Sequence, residues 1–326
     1  MARRQGKLTK GFIQIAGRWR VEGPNAMYLG PEEQEAPVGI CLWPTRFRSG
    51  RLTVTAIIND PNGAARALVG YSAATGGYYS IGIGGYNYAY VIDEFIPGQA
   101  WRAVQGRGSK SQVRMGSPYD MEIEVSGQRV SLSVDGVRVL DGTLPTPLQG
   151  DQAGLFAWGA VQEGESANAA LRPRREFVVR FDNFSVSGDE PRIFIVMQFG
   201  EPYDSLYTEV IQPVSRNMGF QAFRADDVYR PGVILQDIIR GIVESDVVVA
   251  EITPPNPNVF YELGYAHALQ KPTILLANRQ IEKLPFDVSG YRVIFYDDTI
   301  GGKREIETVF EKHLESIRRG AGSSTP

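Results

Sequence analysis

Apolar and polar positions alternate strictly through short stretches of the first half of the chain. MEIEV (residues 121–125) and VSLSV (130–134) put every second side chain on one face, and FVVRFDNFSV (177–186) continues the theme. Period two is the pattern of half-buried strands, and Ser126-Gly127 and Asp135-Gly136 supply turn signals beside them. From about residue 11 to residue 188 scarcely any helical spacing intervenes, so the pattern predicts an all-β sandwich. The texture changes after GDEP (188–191), a short linker. IFIVM (193–197), VVVAEIT (247–253), TILLA (273–277) and VIFY (293–296) are short, largely apolar runs of the kind buried strands need. Between and after them, apolar residues recur every four positions at Leu206, Val210 and Val214, at Ile234, Ile238 and Ile242, and at Ile306, Phe310 and Leu314. Strand and helix in alternation predict an α/β domain with a doubly wound parallel sheet and right-handed crossovers. The expected layout is multidomain, with residues 1–188 as the sandwich and 189–326 as the α/β domain.

Composition narrows the chemistry. The formal net charge is -3 and no Lys/Arg block stands out, which disfavours nucleic acid as a direct ligand. Cys41 is the only cysteine and His267 and His313 the only histidines, so neither a thiolate–imidazole metal cluster nor a Cys–His catalytic pair is expected. No apolar segment follows the basic N-terminal residues, so secretion and membrane insertion are not expected, and the expected location is cytoplasmic.

The chemically richest stretch is NPNVFYELGYAHAL (256–269). It follows a buried strand, and Leu263, Ala266 and Leu269 give it helical spacing, so Glu262 is expected near a helix start at the carboxyl end of a strand. Ligands bind along that edge in open α/β sheets. An acidic residue in a first helical turn also simply complements the dipole. The polar, rigid approach through Asn256, Pro257, Asn258 and Tyr261 favours a site. Phe199 and Gly200 close the first strand of this domain, and the helix after them is positioned to offer N–H groups to a phosphate or to be an ordinary turn. Asp226 and Asp227 are candidates for ribose hydroxyls or a base edge, or belong to a solvated loop. Arg224 is a candidate phosphate partner, with a surface arginine as the default. His267 falls off the glutamate's helical face and reads as packing or helix capping, not as a base.

Taken in order, RIFIVMQFGEPYDSLY (192–207), FRADD (223–227), the 256–269 run and KPTILL (271–276) resemble the bacterial TIR-like domains and their relatives, the nucleoside 2-deoxyribosyltransferase-like proteins, a Rossmann-like group. The resemblance implies a glutamate, here Glu262, that attacks or stabilises the ribosyl C1′ of a nucleotide, often NAD, and releases the base. It makes NAD a substrate with no cofactor needed. Nicotinamide leaves a pyridinium as a neutral base, so one carboxylate can suffice, which ranks NAD glycohydrolase first. Nucleoside or nucleotide deoxyribosyl transfer or hydrolysis is the enzymatic alternative, and a non-catalytic nucleotide-sensing protein the other. In the first half, VSLSVDGVRVL, GLFAWG and VRFDNFSV resemble the concanavalin A-like jelly rolls of the laminin-G type. Aromatics there, including Tyr71, Tyr86, Tyr88, Trp101 and Trp158, suit either sugar stacking or a sandwich core. TIR-like enzymes act as assemblies, so the resemblance implies self-association, a protein or small-molecule activator, and an effector role in antiphage defence.

Overall fold

The computed structural model describes residues 7–8, 11–32, 35–159, 176–227, 234–281, 284–288 and 290–318. The chain divides into two compact units between Asp189 and Glu190; two short turns of the first stretch, Ser126–Arg129 and Pro145–Pro147, group with the second unit.

The first unit is an all-β sandwich of an eight-stranded and a seven-stranded sheet, and the pairings described within both sheets are antiparallel. The alternation read in the sequence is visible in Gly50–Ile58 and Pro118–Ser126, which pair with Thr55 opposite Asp120 and Thr53 opposite Glu122. Their inward residues Leu52, Val54, Met121 and Ile123 join the core between the sheets. Asp135 and Gly136 both have positive φ, 51° and 77°, the backbone a two-residue hairpin needs between Arg129–Val134 and Val137–Thr143. Gly82 to Gly85 lie inside the strand Tyr78–Gly85 and open no helix. A second apolar cluster, with Ile40, Leu68, Tyr78 and Phe156, uses positions that alternate with the sandwich core along the eight-stranded sheet. Tyr71, Phe95, Trp101 and Trp158 pack against it, so much of the aromatic content goes into packing; Tyr86 and Tyr88 stand out, 44% and 40% exposed.

The second unit holds a five-stranded parallel sheet in the spatial order Gln221–Arg224, Arg192–Val196, Val247–Glu251, Thr273–Asn278, Val293–Tyr296. Both faces are covered, which is why the central run VVVAE is buried at every position. Val247 and Val249 share one core with the helical run after the first strand and with Ile300–Arg318. Val248, Ala250 and Ile252 share the other with Val259, Leu263 and Ala266 of the helix Pro257–Ala268. The helical run after the first strand departs from simple four-residue spacing. Tyr203–Leu206 is α-helical, Tyr207–Ile211 is a π-turn and Gln212–Asn217 is α-helical again. The extra residue in that turn brings Tyr207 and Ile211 into the core beside Val210 and Val214. Among the described residues, no helix is long and apolar enough to cross a membrane.

Candidate functional site

In chain order the sheet of the second unit reads 2-1-3-4-5, so the winding reverses between Arg192–Val196 and Val247–Glu251. In open α/β sheets the edge at such a reversal, at the carboxyl ends of the strands, is where ligands bind. Gln198 Nε2, on the loop after the first of these strands, donates to the Pro254 carbonyl on the loop after the second at 3.4 Å. The sequence candidates fall into two groups along this edge.

The first group surrounds Arg224. The sequence default makes it a surface residue, but it is buried, its guanidinium held between carboxylates and aromatic rings. Nε and Nη2 donate to Asp226 at 2.9 and 2.6 Å, a bidentate pair, and Nη1 donates to Asp204 at 2.6 Å. The Tyr207 ring centroid lies 4.6 Å from Cζ and that of Phe199 5.2 Å. Asp227 accepts from the Arg224 backbone N–H at 2.8 Å and from the Tyr207 hydroxyl at 2.5 Å. Three of the five guanidinium N–H donors are thus engaged by carboxylates of the same unit. The helix start after Gly200 offers little to an anion. Pro202 has no N–H, and those of Tyr203 and Asp204 already donate to the Gly200 carbonyl at 3.0 and 3.1 Å. Phe199 remains available, 62% exposed.

The second group lies on the helix Pro257–Ala268. Asn256 is its N-cap, accepting from the Asn258 N–H at 2.9 Å, with Pro257 at the first helical position. Glu262 is the sixth residue of this helix, one turn further in than the sequence suggests, so it does not serve the helix start in the way first-turn acids do. It borders the buried stripe of Val259, Leu263 and Ala266, while Tyr261, about 100° round the helix, is 57% exposed. Among the described residues Glu262 makes no hydrogen bond or ion pair, and burial alone pushes its carboxyl up to about 7. A half-buried carboxylate without a structural partner is expensive, and that is the usual state of a group kept for chemistry. His267 stacks on Tyr291 with ring centroids 4.4 Å apart and lies 3.3 Å from Thr273 Oγ1, a packing role. No hydrogen bond joins the Arg224 group to Glu262 among the described residues, nor do these residues hold a cluster of three or more His, Cys, Asp or Glu arranged for a metal.

A second carboxyl, not singled out by the sequence, ends the central strand. Glu251 is 1% exposed; burial pushes it up to about 7, against hydrogen bonds from Thr253 and Tyr296 that favour its charged form. Glu251 and Glu262 ordinarily lose their protons near 4.5, so between that value and about 7 the folded unit holds protons the unfolded chain has released. Their contribution to stability is whole below about pH 4.5 and is lost as pH rises through about 7. Urea denaturation across that window should therefore show a falling contribution from the second unit, and Glu262→Gln should flatten part of the slope; an unchanged slope would contradict the shift at Glu262.

Residues 198–295 match the family model described as nucleoside 2-deoxyribosyltransferase. The second unit is nucleoside 2-deoxyribosyltransferase-like. The 5-hydroxymethyl-dUMP N-hydrolase of Rattus norvegicus is 36% identical over 90 residues, 26% of this chain and 53% of that protein. Its Mus musculus counterpart is 34% identical over 90 residues, 25% and 49% respectively. The chain thus spans about half the length of the curated relatives it matches. Among solved structures, a CMP N-glycosidase of Clostridium botulinum aligns with 19% identity and a TM-score of 0.30 over 37% of this chain and 98% of that one. A carbohydrate-binding module of Bacillus subtilis aligns with 16% identity and a TM-score of 0.39 over 54% of this chain and 94% of that one.

Proposed function

We propose that the second unit cleaves the N-glycosidic bond of a 2′-deoxynucleotide or nucleoside, with Glu262 as the acting carboxylate. The single observation that carries this reading is a partnerless, half-buried Glu262 on the helix that follows the central strand, inside the segment matched by the deoxyribosyltransferase family. A carboxylate oxygen of Glu262 bonds to C1′ as the bond from C1′ to the base nitrogen breaks, and the base departs with the electron pair. Water then hydrolyses the glycosyl ester, or a second base attacks it and is itself glycosylated. A pyrimidine-dione leaves as an anion delocalised over its ring carbonyls, so this site needs no strong acid for it, whereas a purine is helped by one. The activity of the 5-hydroxymethyl-dUMP N-hydrolases on a pyrimidine deoxynucleotide agrees with that chemistry.

NAD glycohydrolase, ranked first on the sequence motifs, now stands second, because the family match and the curated relatives favour deoxynucleotide chemistry. Assembly-dependent activation and an antiphage role rest on the TIR-like resemblance alone. A panel of pyrimidine and purine 2′-deoxynucleotides, the corresponding nucleosides and NAD, with and without a second free base, separates these readings by the base released. Pyrimidine deoxynucleotides should be cleaved fastest. Nicotinamide release from NAD with deoxynucleotides untouched would overturn this order. Repeating the assay over a range of protein concentrations reads out any dependence on assembly. Because Glu262 must be ionised, kcat/KM should rise with pH with a midpoint near 7; a rate that falls through that range would contradict the role.

A further inference from the structure

Glu251 and Glu262 sit on opposite faces of the parallel sheet. Glu251 alternates in register with Val247 and Val249, whose core includes Tyr207 and Tyr296, whereas the Glu262 helix packs on the face of Val248 and Ala250. From its own face Glu251 reaches around the end of the central strand. Its Oε2 accepts from the Thr253 N–H at 3.0 Å, the first turn out of the sheet, and its Oε1 accepts from the Tyr296 hydroxyl at 3.1 Å. Tyr296 ends the edge strand two places away. The strand between them is tied to the same loop, since Thr253 Oγ1 accepts from the Asn278 N–H at 2.9 Å and the Ile252 N–H donates to Leu276 O at 3.0 Å. Three strand ends are thereby fastened at the root of the segment that leads, three residues later, to the Asn256 cap and the Glu262 helix.

A buried carboxyl is a costly way to hold a loop, because its charge must be taken out of water. The groups facing Glu251 are Thr253 from the loop, Tyr296 from the edge strand and Tyr203 from the helical run after the first strand, with Asp298 close to Tyr296. Among the described residues it has no cationic partner.

We propose that Glu251 is a positioning residue for Glu262, fixing where the 253–256 loop leaves the sheet and so how deeply the Glu262 carboxyl is buried. Glu251 is nearly inaccessible and acts only through that loop. The inference rests on Glu262 being the acting carboxylate, but its first readout does not depend on turnover.

The experiment follows the Glu262 carboxyl by NMR titration of glutamate-labelled full-length protein, assigned with Glu262→Gln, in wild type, Glu251→Ala, Glu251→Gln and Tyr296→Phe. Base release is measured on the same samples. With the clamp removed in Glu251→Ala, Glu262 should titrate at least one pH unit lower than its value near 7. kcat should fall about 10- to 100-fold, as an ångström of misplacement does, with KM changing less than about threefold. Glu251→Gln keeps an acceptor and should restore most of both; Tyr296→Phe should move both partway. An unmoved Glu262 titration in folded Glu251→Ala would overturn the inference. If that variant does not fold, unchanged titration and kcat in Tyr296→Phe overturn it. Failure of the N-glycosidase reading looks different: wild type releases no base, or Glu262→Gln still does.

Discussion

Glu262→Gln is expected to lower base release by about two to three orders of magnitude, about 3–4 kcal/mol of transition-state stabilisation, with no loss of secondary structure. Glutamine keeps the shape of the side chain and removes the charge that must meet the positive character growing at C1′. The surroundings of Glu262 already favour a neutral group, because burial pushes the native carboxyl up to about 7. Circular dichroism and thermal melting check the fold, and chromatographic quantification of free base checks the chemistry. A folded variant within tenfold of wild type would remove Glu262 from the reaction.

The largest stability effect is expected in the first unit, from Arg66→Ala. Arg66 and Asp93 form an ion pair with side chains 5% and 2% exposed, and Asp93 also accepts from Ser80. The guanidinium further donates to the Gly84 carbonyl, through Nε at 2.8 Å and Nη2 at 2.6 Å, and its Cζ sits 5.1 Å from the Phe156 ring centroid. Removing the arginine strands a buried carboxylate, which costs about 3–5 kcal/mol. Replacing both partners by apolar residues of similar volume should cost far less, since no charge is then left without its partner. Urea denaturation of the three proteins measures both steps; a single-variant loss below about 1 kcal/mol would show that the pair contributes little.

The sequence carries the architecture where periodicity is strong and local. MEIEV predicts the alternation seen in Pro118–Ser126, and the β-branched run before Glu251 predicts a strand covered on both faces. Asn256 and Pro257 mark a helix start that the structure forms with a side-chain cap. What escapes a linear reading depends on residues far apart in the chain. Arg224 looks like a surface cation until Asp204, 20 residues earlier, is seen against it. Glu251 looks like one polar letter at the end of an apolar run, and its significance appears only when Tyr296, 45 residues later, donates to it. The π-turn at Tyr207–Ile211 shifts the helix face by a residue, an offset that spacing alone does not announce.

The glycosyl–Glu262 ester can be trapped by rapid chemical quench of full-length protein with a pyrimidine 2′-deoxynucleotide, followed by peptide mass mapping. A deoxyribosyl phosphate should be found on the peptide that contains Glu262, appearing with the free base and absent in Glu262→Gln. Base release at the wild-type rate from Glu262→Gln, or the sugar carried on a different residue, would contradict it.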